Sequence, residues 1–233
     1  MAATRLPGKP LADIHGKPMI VHVWERAKAA GIGPVVVAAG DQVICDVIGG
    51  LGGTCILTDP AIPKGSDRIH VALKEIDPDG KHDVVVNMQG DQPTIEPRLL
   101  KVLLGPLANP DVDVATLVVP FAENVEDPNI VKVVMSDMGD QAGRCLYFSR
   151  RAVPHGGPYF YHLGFYAYRR QALDRYAELP RGRLELSEDL EQLRCLEAGL
   201  RYDATIVDTA PISVDTAEDL EKARAAIAAD GLS

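Results

Sequence analysis

Cysteine is scarce in this chain: the 233 residues hold four, at positions 45, 55, 145 and 195, with no C-x-x-C or metal-ligand spacing between them. All four are expected to be small buried hydrophobes in a reducing cytosol. Positive charge is also short. Lys and Arg number 24 against 33 Asp and Glu, for a formal charge of −9. Such a chain is a poor general binder of nucleic acid or anionic membrane, and an anionic ligand must be held by a local cluster of basic groups and backbone amides. Long apolar runs are missing. "PVVVAA" is far too short to span a bilayer, and the first residues lack the apolar core of a signal peptide. The expected location is cytoplasmic. Neither the P-loop pattern G-x-x-x-x-G-K-[ST] nor the dinucleotide fingerprint G-x-G-x-x-G occurs, and a Rossmann oxidoreductase is correspondingly disfavoured. No repeat or low-complexity segment is present.

What is present is an apolar fraction of 46%, enough for a substantial core. The first half alternates helix and strand signals. "MIVHVWERAKAAG" has helical spacing and a Gly31 stop. "PVVVAAG", "TCILTDP" and "DVVVNM" are short Val- and Ile-rich runs of the kind found in buried parallel strands. "SDRIHVALKEI" reads as a helix with Ser66 as its N-cap, and "PRLLKVLLGPL" as one with Pro97 at its first position. The second half holds a hairpin in "IVKVVMSDMGDQAGRCLYFSR", a strand in "YHLGFYAYRR", helices in "RQALDRYAEL" and "SEDLEQLRCLEAG", strands in "YDATIV" and "PISV", and a closing helix. The expected fold is α/β. It is a mostly parallel mixed sheet flanked by helices, in a single domain over residues 1–233, with a hairpin lobe contributed by about 120–170.

Several residues could carry chemistry. The opening "TRLPGKPLADIHGKP" offers Arg5 and Lys9 around Gly8, suited to phosphate, and equally an ordinary basic turn. "NMQGDQP" places Gln89 and Asp91 straight after a strand, where open α/β sheets bind ligands. Asp91 is either a Mg²⁺ ligand or a turn former. Asp215 follows "PISV"; with Glu218 it also reads as a capping box. On "YHLGFYAY", His162, Gly164, Tyr166 and Tyr168 share one face, expected to be polar with a gap at Gly164 through which a ligand could approach. Leu163, Phe165 and Ala167 share the other face, expected to be core. In "LELSEDLEQLRCLEAGL", Leu186, Leu190, Leu193 and Leu200 form an expected core stripe. Glu188, Glu191 and Gln192 then lie to the side, as sugar-hydroxyl readers or as a solvated face. "KGSDR" puts Gly65, Ser66 and Arg68 at a helix start that could hold an anion.

The order of these motifs along the chain resembles the bacterial 3-deoxy-manno-octulosonate (Kdo) cytidylyltransferases: "TRLPGKPLADIHGKPMIVHV", "KGSDR", "VNMQGDQP", "PNIVKVV", "LYFSR", "HLGFYAY", "LEQLR" and "VDTAEDLEKAR". The resemblance covers nearly the whole chain. It implies a Rossmann-like nucleotidyltransferase fold with an inserted small lobe. The implied reaction is CTP plus Kdo to CMP-Kdo plus pyrophosphate, with Mg²⁺, in a homodimer that serves lipopolysaccharide synthesis. It implies that Arg5 and Lys9 hold the CTP phosphates and that Gly8, Gly65, Ser66, Arg68 and Gln89 lie near the nucleotide. Asp91 and Asp215 would hold Mg²⁺. Arg150, His162, Tyr166, Glu191 and Gln192 would bind Kdo.

The sequence departs from the family in places. The family's first apolar strand and Pro-Ala-Arg segment do not precede the opening loop, so the expected fold lacks its first strand, and a form with that strand restored is expected to be more stable and more active. "AAGDQ" stands where a Thr-Asp pair is usual, Gln92 replaces an acidic residue beside Asp91, Lys64 replaces a small polar one, and Arg151 to Tyr159 is short. The rival readings are a cytidylyltransferase for another acidic sugar, such as a sialic acid, and a truncated nucleotide-binding form without turnover.

Overall fold

The computed structural model describes residues 6–137, 139 and 141–229. Arg5 lies outside the described residues. The elements in chain order are β1 (Asp13–Ile14), β2 (Lys17–Pro18), α1 (Met19–Ala30), β3 (Val36–Ala39), α2 (Gln42–Gly50), β4 (Thr54–Leu57), α3 (Gly65–Ile76), β5 (Val84–Asn87), α4 (Pro97–Val102), β6 (Val114–Phe121), β7 (Lys132–Asp137), β8 (Ala142–Ser149), β9 (Tyr159–Arg169), α5 (Arg170–Glu178), α6 (Arg183–Glu188), α7 (Gln192–Glu197), β10 (Tyr202–Ile206) and α8 (Ala217–Ala229). They pack as two compact units. One comprises Met1–Ile62, Gln89–Lys101 and Ala210–Ser233; the other comprises Pro63–Met88 and Val102–Thr209.

In the first unit, β3 and β4 pair in parallel and α2 crosses between them. Helix α1 is buried along its early turns. Met19 joins Ile14, Val214, Leu220, Ala223 and Ile227, while Ile20, Val21 and Trp24 join Ile48. A helix apolar on more than one side sits between two packing partners. Here those partners are the α8 side and the α2 side. The βαβ crossover also corrects the cysteine expectation: Cys45 on α2 and Cys55 on β4 form a disulfide, with Cα atoms 5.1 Å apart. Parallel strands return a helix over its own sheet, so residues ten apart meet with no motif to show it. Cys145 and Cys195 are free and buried, as expected.

The second unit is built on a six-stranded sheet in the order β5-β9-β6-β10-β8-β7. It is mixed, and the expectation of mostly parallel pairing fails. Only β6 and β10 run parallel, while β9 is antiparallel to β5 and β6, and β8 is antiparallel to β7 and β10. The Val-rich pattern of "DVVVNM" reports a strand but not its neighbour. That neighbour is the eleven-residue β9, which enters between β5 and β6. The core gathers Phe148, Tyr166, Tyr168, Tyr176, Leu193 and Tyr202. Burying a Phe such as Phe148 contributes about 1.5–3 kcal/mol.

Four local expectations also change. "SEDLEQLRCLEAG" is two short helices, α6 and α7, because Asp189 takes a left-handed conformation at φ 53°. The break turns Leu186 outward, 59% exposed, while Leu190, Leu193 and Leu200 stay in the core. The segment "PISV" forms no strand; it is held by Val214 N–H to the Asp91 carbonyl at 2.9 Å and Ile212 N–H to Thr94 Oγ1 at 2.7 Å. Ser66 is not an N-cap: α3 begins at Gly65, and Ser66 is fully buried inside its first turn.

Candidate active site

Two clusters hold the residues singled out from the sequence, one in each unit. In the first unit, Gly8 adopts φ 67°, a left-handed conformation open to glycine, and starts a single 3₁₀ turn, Lys9–Leu11. That bend presents Lys9. Its Nζ donates to Asp91 Oδ2 at 2.8 Å and to Asp215 Oδ1 at 3.0 Å. Burial works against the Lys9 charge, but the two carboxylates outweigh it and hold its pKa above the ordinary lysine value. Segments far apart in sequence thus converge on one ammonium group. The Val214–Asp91 backbone bond fixes the two acidic segments side by side. Gln89, half-buried, lies two residues before Asp91.

The capping-box expectation shifts by one residue. Thr216 Oγ1 donates to Asp219 at 2.7 Å, and Asp219 N–H donates back to Thr216 Oγ1 at 3.2 Å. The helix end is served by Thr216 and Asp219. Asp215 keeps its carboxylate for Lys9.

Asp91 and Asp215 are hard oxygen donors close enough to share one cation. Among the described residues, no group of three or more His, Cys, Asp or Glu side chains could hold a metal by itself. Two carboxylates whose remaining partners come from water and substrate phosphates suit Mg²⁺, which keeps several waters. The donor set fits that ion, with Lys9 in the place it would take.

In the second unit, Ser66 Oγ donates to Glu191 Oε1 at 2.8 Å, lies 3.0 Å from the Tyr168 hydroxyl and accepts from Asn87 Nδ2 at 3.2 Å. A serine has one hydrogen. With that given to Glu191, Tyr168 must donate to Ser66. Burial pushes the Glu191 carboxyl above its ordinary value, against the pull of the Ser66 hydrogen bonds. Tyr166 donates to Gln192 Oε1 at 3.2 Å. Burial holds the Tyr166 and Tyr168 hydroxyls protonated, well above the ordinary tyrosine range. His162 Nε2 lies 2.9 Å from Thr116 Oγ1, and burial lowers the imidazole pKa to about 3.

The face carrying His162, Tyr166 and Tyr168 is therefore shared as expected, but it is a buried aromatic layer, with ring centroids 5.3 Å and 5.6 Å apart along the series. Gly164 is a bulge at φ 76°, where β9 fits extra residues opposite Leu117.

Arg150 is fastened to backbone. Its Nε donates to the Glu188 carbonyl at 2.8 Å and one terminal nitrogen to the Pro128 carbonyl at 3.0 Å, while Glu188 accepts the Arg150 N–H at 2.8 Å. Glu188 accepts from Ser149 Oγ at 3.0 Å as well as from the Arg150 N–H, so its carboxylate is neither a solvated face nor free for a sugar hydroxyl. Gly65 and Arg68 are half-buried on the first turn of α3. Lys64 bonds Asp189 at 2.7 Å, and Asp41 caps α2 through Val43 N–H at 3.0 Å.

Sequence reasoning missed Asn87, Thr116 and Lys132. Lys132 is fully buried and donates to the Asp127 carbonyl at 2.6 Å and the Arg150 carbonyl at 3.0 Å. "PNIVKVV" held its signal: a lysine inside an apolar strand must find partners.

A cytidylyltransferase family profile matches residues 1–224. The chain is 52% identical over 98% of its length to the 3-deoxy-manno-octulosonate cytidylyltransferase of Paramagnetospirillum magneticum, covering 95% of that protein. It is 55% identical over 98% of its length to that of Methylorubrum extorquens strain PA1, covering 94% of it. Among solved structures it matches a CMP:2-keto-3-deoxy-manno-octonic acid synthetase complexed with CTP, at TM-score 0.88 and 39% identity, over 97% of this chain and 94% of that one. It also matches an apo UDP-glucose pyrophosphorylase at TM-score 0.70 and 14% identity, over 98% and 95% of the two chains, a likeness of fold alone. The fold is that of mixed α/β nucleotidyltransferases, and this chain is a nucleotidyltransferase belonging to the 3-deoxy-manno-octulosonate cytidylyltransferase family.

Proposed function

We propose that the protein transfers CMP from CTP to Kdo, releasing pyrophosphate, and that this CMP-Kdo serves lipopolysaccharide synthesis in the cytoplasm. The similarity to named Kdo cytidylyltransferases over almost the full chain supports the reaction. The observation that carries the chemistry is the Lys9–Asp91–Asp215 cluster, a mobile-stemmed cation held by two carboxylates beside a glycine bend.

The anomeric hydroxyl oxygen of Kdo attacks the α-phosphorus of CTP. A new P–O bond forms as the bond to the β-phosphate oxygen breaks. Pyrophosphate leaves, and the hydroxyl proton passes to solvent. Such transfers depend on positioning and charge neutralisation more than on covalent help. Lys9 and Arg5 neutralise the phosphates, and Gly8 shapes the bend that presents Lys9. Gln89, Gly65, Ser66 and Arg68 contribute to the nucleotide. Asp91 and Asp215 would hold Mg²⁺, which when bound supplies charge neutralisation at the phosphates and a lower hydroxyl pKa. For that, Lys9 must exchange the carboxylates for phosphate. Arg150 keeps N–H donors for the sugar's carboxylate, and His162, Tyr166, Glu191 and Gln192 take its hydroxyls. The finer fold reading is Rossmann-like with a small lobe, and the lobe near 120–170 serves a homodimer. No helix among the described residues is long and apolar enough to cross a membrane.

The test is pyrophosphate release from CTP with Mg²⁺ and a panel of acidic sugars. Turnover with Kdo far above the others supports the assignment. Preference for a sialic acid moves the chain to the neighbouring specificity, and no turnover with any sugar defeats the reading.

A further inference from the structure

Thr116 lies on β6 and bonds two groups on β9. Its Oγ1 is 2.6 Å from the Phe165 carbonyl oxygen and 2.9 Å from His162 Nε2. A carbonyl oxygen only accepts, so the single Thr116 hydrogen goes to Phe165. The reverse choice would leave two acceptors facing each other at 2.6 Å. Thr116 Oγ1 is then an acceptor toward His162, and Nε2 must carry the proton. The arrangement follows from the bulge. Thr116 pairs with Tyr166 and Val118 with His162, so the β9 residues between them crowd opposite Leu117 and turn the Phe165 carbonyl toward a side chain.

We propose that Thr116 is a positioning residue that locks His162 as the Nε2–H tautomer, so that Nδ1 is offered as a hydrogen-bond acceptor to a hydroxyl of the sugar. The ring is neutral, since burial keeps imidazolium from forming at neutral pH. Nδ1 bonds no described residue. A neutral acceptor welcomes an O–H and repels a carboxylate, so His162 reads the polyol part of an acidic sugar and not its acid group. The neighbouring pair has the opposite polarity: Tyr166 donates to Gln192 Oε1, which leaves the Gln192 amide N–H₂ as donor. One acceptor and one donor, each fixed by a buried hydroxyl, discriminate between hydroxyl arrangements more strongly than two adaptable groups. The substrate half of this inference rests on the assignment of His162 to Kdo.

The tautomer is read without substrate, from long-range ¹H–¹⁵N spectra of protein with ¹⁵N-labelled histidine, the His162 signals being identified by their loss in His162→Gln. The expected wild-type pattern is protonated Nε2 and bare Nδ1 across neutral pH. Thr116→Val should give a mixed or inverted tautomer and raise KM for Kdo roughly 10-fold while leaving KM for CTP in place; Thr116→Ser should restore both. Nδ1–H or imidazolium in the wild type overturns the inference, whatever the variants do. An altered tautomer with an unchanged KM for Kdo overturns the positioning role. Failure of the functional reading is seen separately, as absence of pyrophosphate release from the wild type with Kdo, and that result removes the substrate half whatever the spectra show.

Discussion

Lys9 and Asp91 hold each other at 2.8 Å, although the one is proposed to meet phosphate and the other to hold Mg²⁺. The same ammonium lies 3.0 Å from Asp215. The ion pair keeps the two carboxylates together and compensated.

Replacing Lys9 by Met should therefore act in two directions. The rate should fall about 10²–10³-fold, as for loss of one preorganised donor. In the substrate-free protein, the two freed carboxylates should bind Mn²⁺ more tightly than in the wild type, because the competing cation is gone. Calorimetric titration checks the second point; equal or weaker binding would count against a shared cation position.

Arg194 grips Glu185 with hydrogen bonds of 2.7 and 2.8 Å, and Glu185 is fully buried. The pair joins α6 to α7, the corner that carries Glu191 and Gln192. Arg194→Met leaves a buried carboxylate without its main partner and should cost about 3–5 kcal/mol in urea unfolding. Replacing both residues by apolar ones should recover much of the loss.

Gly164→Ala tests the bulge. A Cβ there would meet no atom within 4 Å, so any cost comes from the backbone at φ 76°. About 1–2 kcal/mol of destabilisation is expected. A neutral result would mean that the bulge relaxes.

Asp77 should govern part of the acid limb of stability. It accepts the backbone N–H groups of Lys81 and His82 and is paired with Arg170, which hold its carboxyl well below the ordinary value of 3.8. Its folded pKa is depressed, so its contribution is present above that ordinary value and is lost as pH falls toward the folded one. Unfolding followed from pH 7 downward should show stability dropping below about pH 4, and Asp77→Asn should be less stable at pH 7 with a flatter acid limb.

The Cys45–Cys55 bond predicts that unreduced, denatured protein titrates two thiols and reduced protein four. With a sequence separation of 10, its loss in Cys45→Ala should cost about 2–3 kcal/mol. Four titrating thiols without reductant would refute the pairing.

The sequence alone determined what is local or ordered along the chain. Gly31 ends α1 because only a residue free of a Cβ takes that left-handed turn cheaply. The alternation in "YHLGFYAY" put His162, Tyr166 and Tyr168 on one face, and the succession of motifs identified the family. Tertiary structure decided what depends on partners distant in the chain. Whether β5 lies beside a parallel or an antiparallel neighbour is set by the chain that enters next to it, not by its own valines. That the polar face of β9 is an aromatic interior, that Ser66 bonds Glu191 instead of capping α3, and that Thr116 dictates the polarity of His162 all arise from residues tens of positions apart. Hydrogen-bond direction is a property of completed pairs. A sequence names the donors and acceptors, and only the packed fold says which oxygen has already spent its proton.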